Sequence, residues 1–306
     1  MKRLILLWIL IGFLPYCKES VPPSAIATPT DPRERFRSYW EAGTAEISTY
    51  NLSQVRYGEN HAGKAILVFV TEDFSKTKQV KLDQPELAEN DRAKVLKLNF
   101  VKNFVTGIYA YSMTLSVFTP LEADKYPHTL KESMSSQEWC GNAFAQLNLD
   151  KDQFRIESYS YFESEGDTKF FLKIEILEDE LWNRIRLDPE SVPTGEVTLI
   201  PGLFHVRLNH KELKPLKAVV TKQNQENDFI YTIWYPEEER TLKIRTDSSF
   251  PFKILAWEET FLDFNGHLMT TYAVLDASIQ SDYWNRNKNE FRDLRKKLKL
   301  TEDSLF

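Results

Sequence analysis

The chain has 306 residues, 45 of them acidic and 39 basic, for a formal net charge of −6. A mildly acidic balance gives no electrostatic reason to seek nucleic acid, so nucleic-acid partners are excluded. With 42% hydrophobic and 13% aromatic residues and only 10 glycines, the composition suits a packed β-rich protein and excludes a disordered one.

At the N-terminus, Lys2 and Arg3 precede an apolar run from Leu4 to Leu14 broken only by Gly12. A membrane-spanning helix needs about 20 apolar residues, so residues 1–16 read as a secretory signal peptide. Leu14-Pro15-Tyr16-Cys17 resembles the lipobox of bacterial lipoproteins, Leu-x-x-Cys; Leu14 and Cys17 match, and Tyr16 departs where a small residue is usual. That resemblance implies cleavage before Cys17 and acylation of its thiol. Each buried methylene of the acyl chains, palmitate for example, contributes roughly 0.8 kcal/mol, so several chains make a stable anchor. The expected partner is then the membrane, reached through a lipid anchor at Cys17. The expected location is the bacterial cell envelope, at the outer membrane on its periplasmic face or at the cell surface. Lys18-Glu19-Ser20 partly resembles a Lys-acidic-acidic surface-export signal and reads equally well as the start of a solvated linker. Loss of Lys2 and Arg3 with the signal moves the net charge from −6 to −8.

Residues 17–31 carry Pro22, Pro23 and Pro29 among Ser, Thr and Ala, a semi-stiff tether. Asp31-Pro32 opens a short helix whose apolar side holds Phe36, Tyr39 and Trp40. A β-rich domain is expected over 32–280. Thr44–Arg56 and Lys64–Phe74 alternate on either side of a loop at 57–63, a hairpin pattern, and Ala65–Val70 is apolar enough to be covered on both faces. Val95–Phe104 places Leu96, Leu98, Phe100 and Phe104 on one face. Ile108–Phe118 does the same with Tyr109, Tyr111, Met113, Leu115 and Val117, a stripe that reads as core. Phe154–Phe162 and Lys169–Leu177 form a further hairpin across Glu165-Gly166-Asp167.

Glu178–Leu187 interrupts the strands. Leu181, Trp182 and Ile185 have helical spacing, Asp179 can cap, and the prolines at 189 and 193 end the helix. It marks either a domain boundary or a helix packed on the sheet. Strands are then expected at 196–200, 203–209, 216–221, 229–235, 241–246, 252–264 and 268–276, the last four as a meander with a hairpin at Asn265-Gly266. Ser281–Leu300 reads as an amphipathic helix docked on the domain, with Trp284, Phe291, Leu294 and Leu298 on one side and basic residues in its last turns.

Few residues invite chemistry. Glu138-Trp139-Cys140-Gly141 echoes half of a thioredoxin site, but Ala143 stands where the resolving cysteine belongs. Glu138, Trp139 and Cys140 are kept as weak functional candidates. If Cys17 is acylated no intramolecular disulfide can form, and the lone Cys140 is expected to be buried. His205 and His210 are five apart, which points them in different directions on a strand or a helix. No metal-ligand spacing, nucleophile elbow or phosphate-cradling loop occurs, so no metal, cofactor or catalytic residue is predicted.

Ser38-Tyr39-Trp40-Glu41-Ala42-Gly43 with Tyr57-Gly58-Glu59, and Ser135-Ser136-Gln137-Glu138-Trp139-Cys140-Gly141, resemble a family of uncharacterised Bacteroidota envelope lipoproteins. Its members are sometimes labelled septum formation inhibitor Maf. That label implies an α/β nucleotide pyrophosphatase with a Ser-x-Ser-Pro-Arg-Arg motif; this chain has no such motif, and its strand-rich pattern marks the label as a misassignment. The resemblance implies no established activity and transfers no functional residue.

The fold expected is all-β with a few helices, a single antiparallel sheet curled into a half-barrel or open barrel; two β-sandwich domains split near 178–195 are the alternative. The function expected is a non-enzymatic binding or assembly lipoprotein for an apolar ligand, such as an envelope lipid, or for a protein partner. An envelope hydrolase with a site assembled across strands and a purely structural envelope protein are the other readings. Convergent His or carboxylate groups of perturbed pKa in a cleft would favour the hydrolase; an apolar cavity would favour carriage.

Overall fold

A computed structural model describes residues 31–300. The signal peptide, Cys17 and nearly all of the tether lie outside them. Asp31 caps helix α1 (Pro32–Trp40) by accepting the Arg33 amide at 3.0 Å, with proline in the first turn. Eight strands follow: β1 (Ala45–Arg56), β2 (Glu59–Ser75), β3 (Arg92–Thr106), β4 (Tyr109–Pro120), β5 (Lys131–Glu138), β6 (Gly141–Asp150), β7 (Gln153–Ser160) and β8 (Thr168–Lys173). The second half comprises β9 (Ile176–Leu177), α2 (Glu180–Leu187), β10 (Gly195–Ile200), α3 (Leu203–Leu208), β11 (Leu216–Gln225), β12 (Asp228–Tyr235), β13 (Arg240–Asp247), β14 (Ile254–Leu262), β15 (Leu268–Ser281) and α4 (Asp293–Lys297).

All fifteen strands belong to one sheet, ordered β8-β7-β6-β5-β4-β3-β2-β1-β15-β14-β13-β12-β11-β10-β9. Two meanders are thus joined through the β1–β15 ladder, and the pairing is antiparallel except between β9 and β10. The sheet is not closed. Its edge strands, β8 and β9, are separated in the chain by only Ile174 and Glu175.

The curl can be read from ring contacts. Phe100 on β3 lies 5.2 Å from Trp257 on β14. In a flat sheet those strands would stand about 19 Å apart, four spacings of roughly 4.8 Å. The expected period-two faces supply this concave interior: Leu96, Leu98, Phe100, Phe104, Tyr111, Met113, Leu115 and Val117 are buried in one cluster with residues of the second meander. Helix α2 fills the concavity with Leu181, Trp182 and Ile185, the residues singled out by helical spacing. The segment 178–195 is therefore no domain boundary, and the two-sandwich alternative does not hold.

Several local expectations are corrected. The loop at 57–63 shrinks to a Tyr57-Gly58 turn, because Arg56 pairs with Glu59 and the ladder runs unbroken from there. The sequence reading missed β5 and β6, whose inward residues include Met134, Ala143 and Ala145 but whose flanks are rich in Ser, Gln and Asn. The expected strand at 203–209 is helix α3; six residues are too few for periodicity to decide. Asp179 makes no side-chain cap on α2 and instead accepts the Leu203 amide at 2.8 Å, fixing the start of α3.

The expected C-terminal helix over 281–300 does not form. Strand β15 extends to Ser281, two 3-10 turns follow, and α4 has five residues. Asp282 provides no side-chain cap, and the segment holds three asparagines, which favour turns over helix interiors. Its end still covers the outer face: Leu298 and Leu300 are buried against Ala45, Ile47 and Val70. Ala65–Val70 is covered on both sides as expected, with Ala65, Leu67 and Phe69 inside and Val70 beneath this segment.

Candidate functional site

Helix α3 sits at the end of the concavity where the chain crosses from β10 to β11, and it separates a charged interior from two cavities. The interior was only partly legible in the sequence. Lys102 follows Leu98 and Phe100 on the inward face of β3 and is buried with its ammonium over the rings of Phe100, at 5.4 Å, and Phe204, at 5.1 Å. Its hydrogen bond, to Gln54 Oε1, is long at 3.4 Å. Burial pushes its pKa down.

Arg240 on β13 donates two bonds to Glu178, at 2.6 and 2.7 Å, and one to Glu259 at 2.8 Å. Tyr235 donates to Glu178 at 2.6 Å. His205 on α3 stands 2.9 Å from Glu259 and 3.1 Å from Glu238. Burial works against charge on Glu259, but Arg240 and His205 outweigh it and hold its carboxyl well below the usual range. Asp179 behaves oppositely: burial and then the charge of Glu178 raise it to about 6. Burial, followed by Asp179, raises its hydrogen-bonded neighbour Glu132 well above the ordinary value. The space left among these groups is about 20 Å³, room for one water and no substrate.

The open space lies on the other side of α3. A cavity of about 480 Å³ separates α3 from β5–β8. Its floor is apolar, from Met134, Ala143, Ala145, Ile156 and Phe170 on the strands and Leu203, Val206 and Leu213 above them. One end is polar. Arg207 is buried, lies 4.4 Å over the Phe162 ring and donates to Glu165 at 3.2 Å and Glu138 at 3.3 Å. His210 Nδ1 is 2.6 Å from Glu165 Oε1. A second cavity of about 400 Å³ shares His210 and Lys211 with the first and is walled by Val55, Arg56, Tyr57, Phe261 and Phe264. Between the two, Arg56 donates to the Leu208 carbonyl and ties the end of α3 to β1. A larger depression, about 1120 Å³, is a groove on β11–β15 with polar and charged walls such as Gln223, Glu226, Lys243, Arg245 and Glu258.

The three weak sequence candidates separate here. Trp139 and Cys140 form the turn between β5 and β6, and both are exposed, so the expectation of a buried thiol is corrected: a hairpin tip has nothing above it to cover the side chain. Glu138, by contrast, points inward and holds Arg207. His205 and His210 do diverge, onto Glu259 and Glu165. Among the described residues no group of three or more His, Cys, Asp or Glu could hold a metal ion. The residues that sequence reasoning missed are Lys102, Arg207 and Arg240. For Lys102 the signal was present, an amine at the inward register of an apolar strand.

Fold and site together define an all-β protein with one curled sheet, an interior filled by a helix, and a mainly apolar cavity beneath a second, short helix. No family model, curated protein or solved structure matches the chain.

Proposed function

We propose that this chain is a membrane-anchored envelope lipoprotein and a non-enzymatic binding module for an apolar ligand, held between α3 and β5–β8. The observation that carries the reading is the 480 Å³ cavity with an apolar floor and a polar end, the size and character of small-molecule sites. The strongly perturbed carboxylates lie elsewhere: Asp179 and Glu259 surround a space with room for one water, and Glu46 is paired with buried Arg186, so they do not converge on a substrate-sized cleft.

The test is titration of a solvatochromic fatty-acyl probe. Val206→Trp and Ala145→Phe each fill the cavity, from the helix and the strand side respectively. Both are expected to weaken probe binding at least tenfold, about 1.4 kcal/mol, while circular dichroism is unchanged. Full affinity in both folded variants would refute the site. Membrane fractionation of Cys17→Ala tests the anchor separately; a variant that stays membrane-bound with unaltered mass would refute it.

A further inference from the structure

The hairpin connections at one end of the sheet carry a series of exposed apolar side chains. Because the strands alternate in direction, the β1–β2, β3–β4, β5–β6, β7–β8 and β14–β15 connections all fall at the end where α3 lies. Each presents a large apolar side chain to solvent: Tyr57, Ile108, Trp139, Tyr161 and Phe264, from 49% exposed at Tyr57 to 83% at Ile108. These five connections are consecutive around the sheet. The β12–β13 turn at the same end, Pro236–Glu238, is acidic and marks where the series stops. The two tight turns at the opposite end, Lys151-Asp152 and Glu226-Asn227, are polar; the exposed apolar residues there are Val80 and Leu87 on the long β2–β3 connection and, after β15, Tyr283 and Trp284, which at 39% and 43% are less exposed than any of the five tips.

We propose that this row of tips docks on a lipid bilayer, each side chain entering the interfacial zone, so that the cavities under α3 open toward the membrane. The inference rests on the anchored-carrier reading above. Three observations favour lipid over a protein partner. The tips are spaced about 10 Å apart at two strands per hairpin and form a row along the curved sheet end, with Tyr109 linking two of them by its bond to Tyr57 and its ring 6.3 Å from Trp139; a fluid interface can receive such a row along its whole length. Three of the five are Trp or Tyr, or with Phe264 four are aromatic, the class that concentrates at membrane–water interfaces.

The third observation is reach. Helix α1 lies at the opposite end, where the Trp40 carbonyl accepts from Thr71 and Tyr39 bonds Glu46. The segment between Cys17 and Pro32 has 14 residues, up to about 50 Å when extended, against about 40 Å for the 12 residues of β1. A chain anchored at Cys17 can therefore lay its tips on the same bilayer. Glu163, Asp167 and Glu237 near the tips make a zwitterionic surface the better match than an anionic one. Tyr57 and Phe264 also wall the second cavity, which places its mouth at the docked edge.

The experiment uses the full anchored chain in phosphatidylcholine vesicles containing nitroxide-labelled lipid, with an environment-sensitive fluorophore on Cys140. A second preparation, Cys140→Ser with Asp152→Cys, carries the same label at the opposite end. The label at 140 is expected to be quenched several-fold more than the label at 152. Replacing Ile108, Trp139 and Tyr161 together by Ser, three tips that line neither cavity, should abolish that difference while leaving binding of the acyl probe intact. Equal quenching at both ends, or none at 140, would overturn the proposal. Quenching at 140 without any acyl-probe binding would support the docking and overturn the carrier reading alone.

Discussion

The buried ion pair between Arg186 and Glu46 offers a sharp test of what holds the interior together. Arg186 lies on α2 and Glu46 on β1, with side chains 0% and 1% exposed. Two bonds of 2.6 and 2.8 Å join them, a third runs from Arg186 Nε to the Pro251 carbonyl at 2.9 Å, and the guanidinium lies 5.0 Å from the Trp40 ring and 4.6 Å from the Phe69 ring. Arg186→Met keeps most of the apolar stem but strands the Glu46 carboxylate. Breaking a buried pair by removing one partner costs about 3–5 kcal/mol, a large part of the roughly 5–15 kcal/mol that holds a domain folded. Removing the charge as well, in Arg186→Met with Glu46→Gln, should recover about half of that loss, because the remaining deficit is neutral polar groups at about 1–3 kcal/mol.

The two proteins should also respond oppositely to pH. In the native chain burial opposes ionisation of Glu46, but Arg186 outweighs it and the pKa falls from 4.5 to about 2. A lowered carboxylate stabilises fully above its unfolded value and loses that contribution as pH falls from about 4.5 through about 2. Without Arg186, burial, the largest cause, is opposed only by the Tyr39 hydrogen bond and Lys253, and the native-state pKa rises, so Arg186→Met should gain stability as pH is lowered from 7 toward 5. Urea unfolding at pH 7, 5 and 3 measures both effects. A loss under about 1 kcal/mol at pH 7, well below the range for a broken buried pair, or a double variant no more stable than the single one, would refute the reasoning.

Other outcomes follow from the same geometry. Asp179, raised from 3.8 to about 6 by burial and Glu178, contributes stability that is full below about 3.8 and lost as pH rises through about 6; in thermal unfolding across that window Asp179→Asn should flatten the loss, and an unchanged slope would count against the assignment. Gly202→Ala would place a Cβ 2.6 Å from Glu178 Oε1, and since Glu178 is fixed by Arg240 and Tyr235 the overpacking should cost about 1–3 kcal/mol in urea unfolding; a neutral result would show that the carboxylate can move. Cys140, exposed on its turn, should react with a maleimide in the folded protein, and Cys140→Ser should alter stability by no more than about 0.5 kcal/mol; a thiol that reacts only after unfolding would contradict the turn.

What the sequence made legible was whatever one face of one strand can state. The period-two runs of β3 and β4 carry their large apolar residues mainly on one face, and Asn265-Gly266 carries a strong turn signature, so strand and hairpin were both readable. The strands β5 and β6 bury small residues such as Ala143 and Ala145 beside the cavity, and small inward residues give a weak hydrophobic signal. Helix α3 has six residues, below the length at which a period separates helix from strand. The ionic groups escaped notice for another reason: Glu178, Arg240 and Glu259 come from α2's entry, β13 and β14, and which charges face inward is decided by the curl rather than by local pattern.

The way α3 is held bears on why the cavity exists at all. A helix of six residues has no stability of its own in water. This one is fixed by polar contacts at both ends: Asp179 on the Leu203 amide, Glu259 and Glu238 on His205, Glu138 and Glu165 on Arg207, and Arg56 on the Leu208 carbonyl. Leu203, Phe204 and Leu208 are buried in the core, while Val206 and Arg207 face the open space. Protein interiors otherwise close to crystal-like density, and unfilled apolar volume costs stability in proportion to its size. An apolar-floored space of about 480 Å³ persists beneath α3 because directional bonds set the helix at a fixed height, where apolar contacts alone would let it settle onto Ala143 and Ala145. A helix propped in this way by side chains from β1, β5, β14, the β7–β8 and β12–β13 turns and the residue before α2 is the roof that the proposed ligand, apolar along most of its length and polar at the Arg207 end, would require.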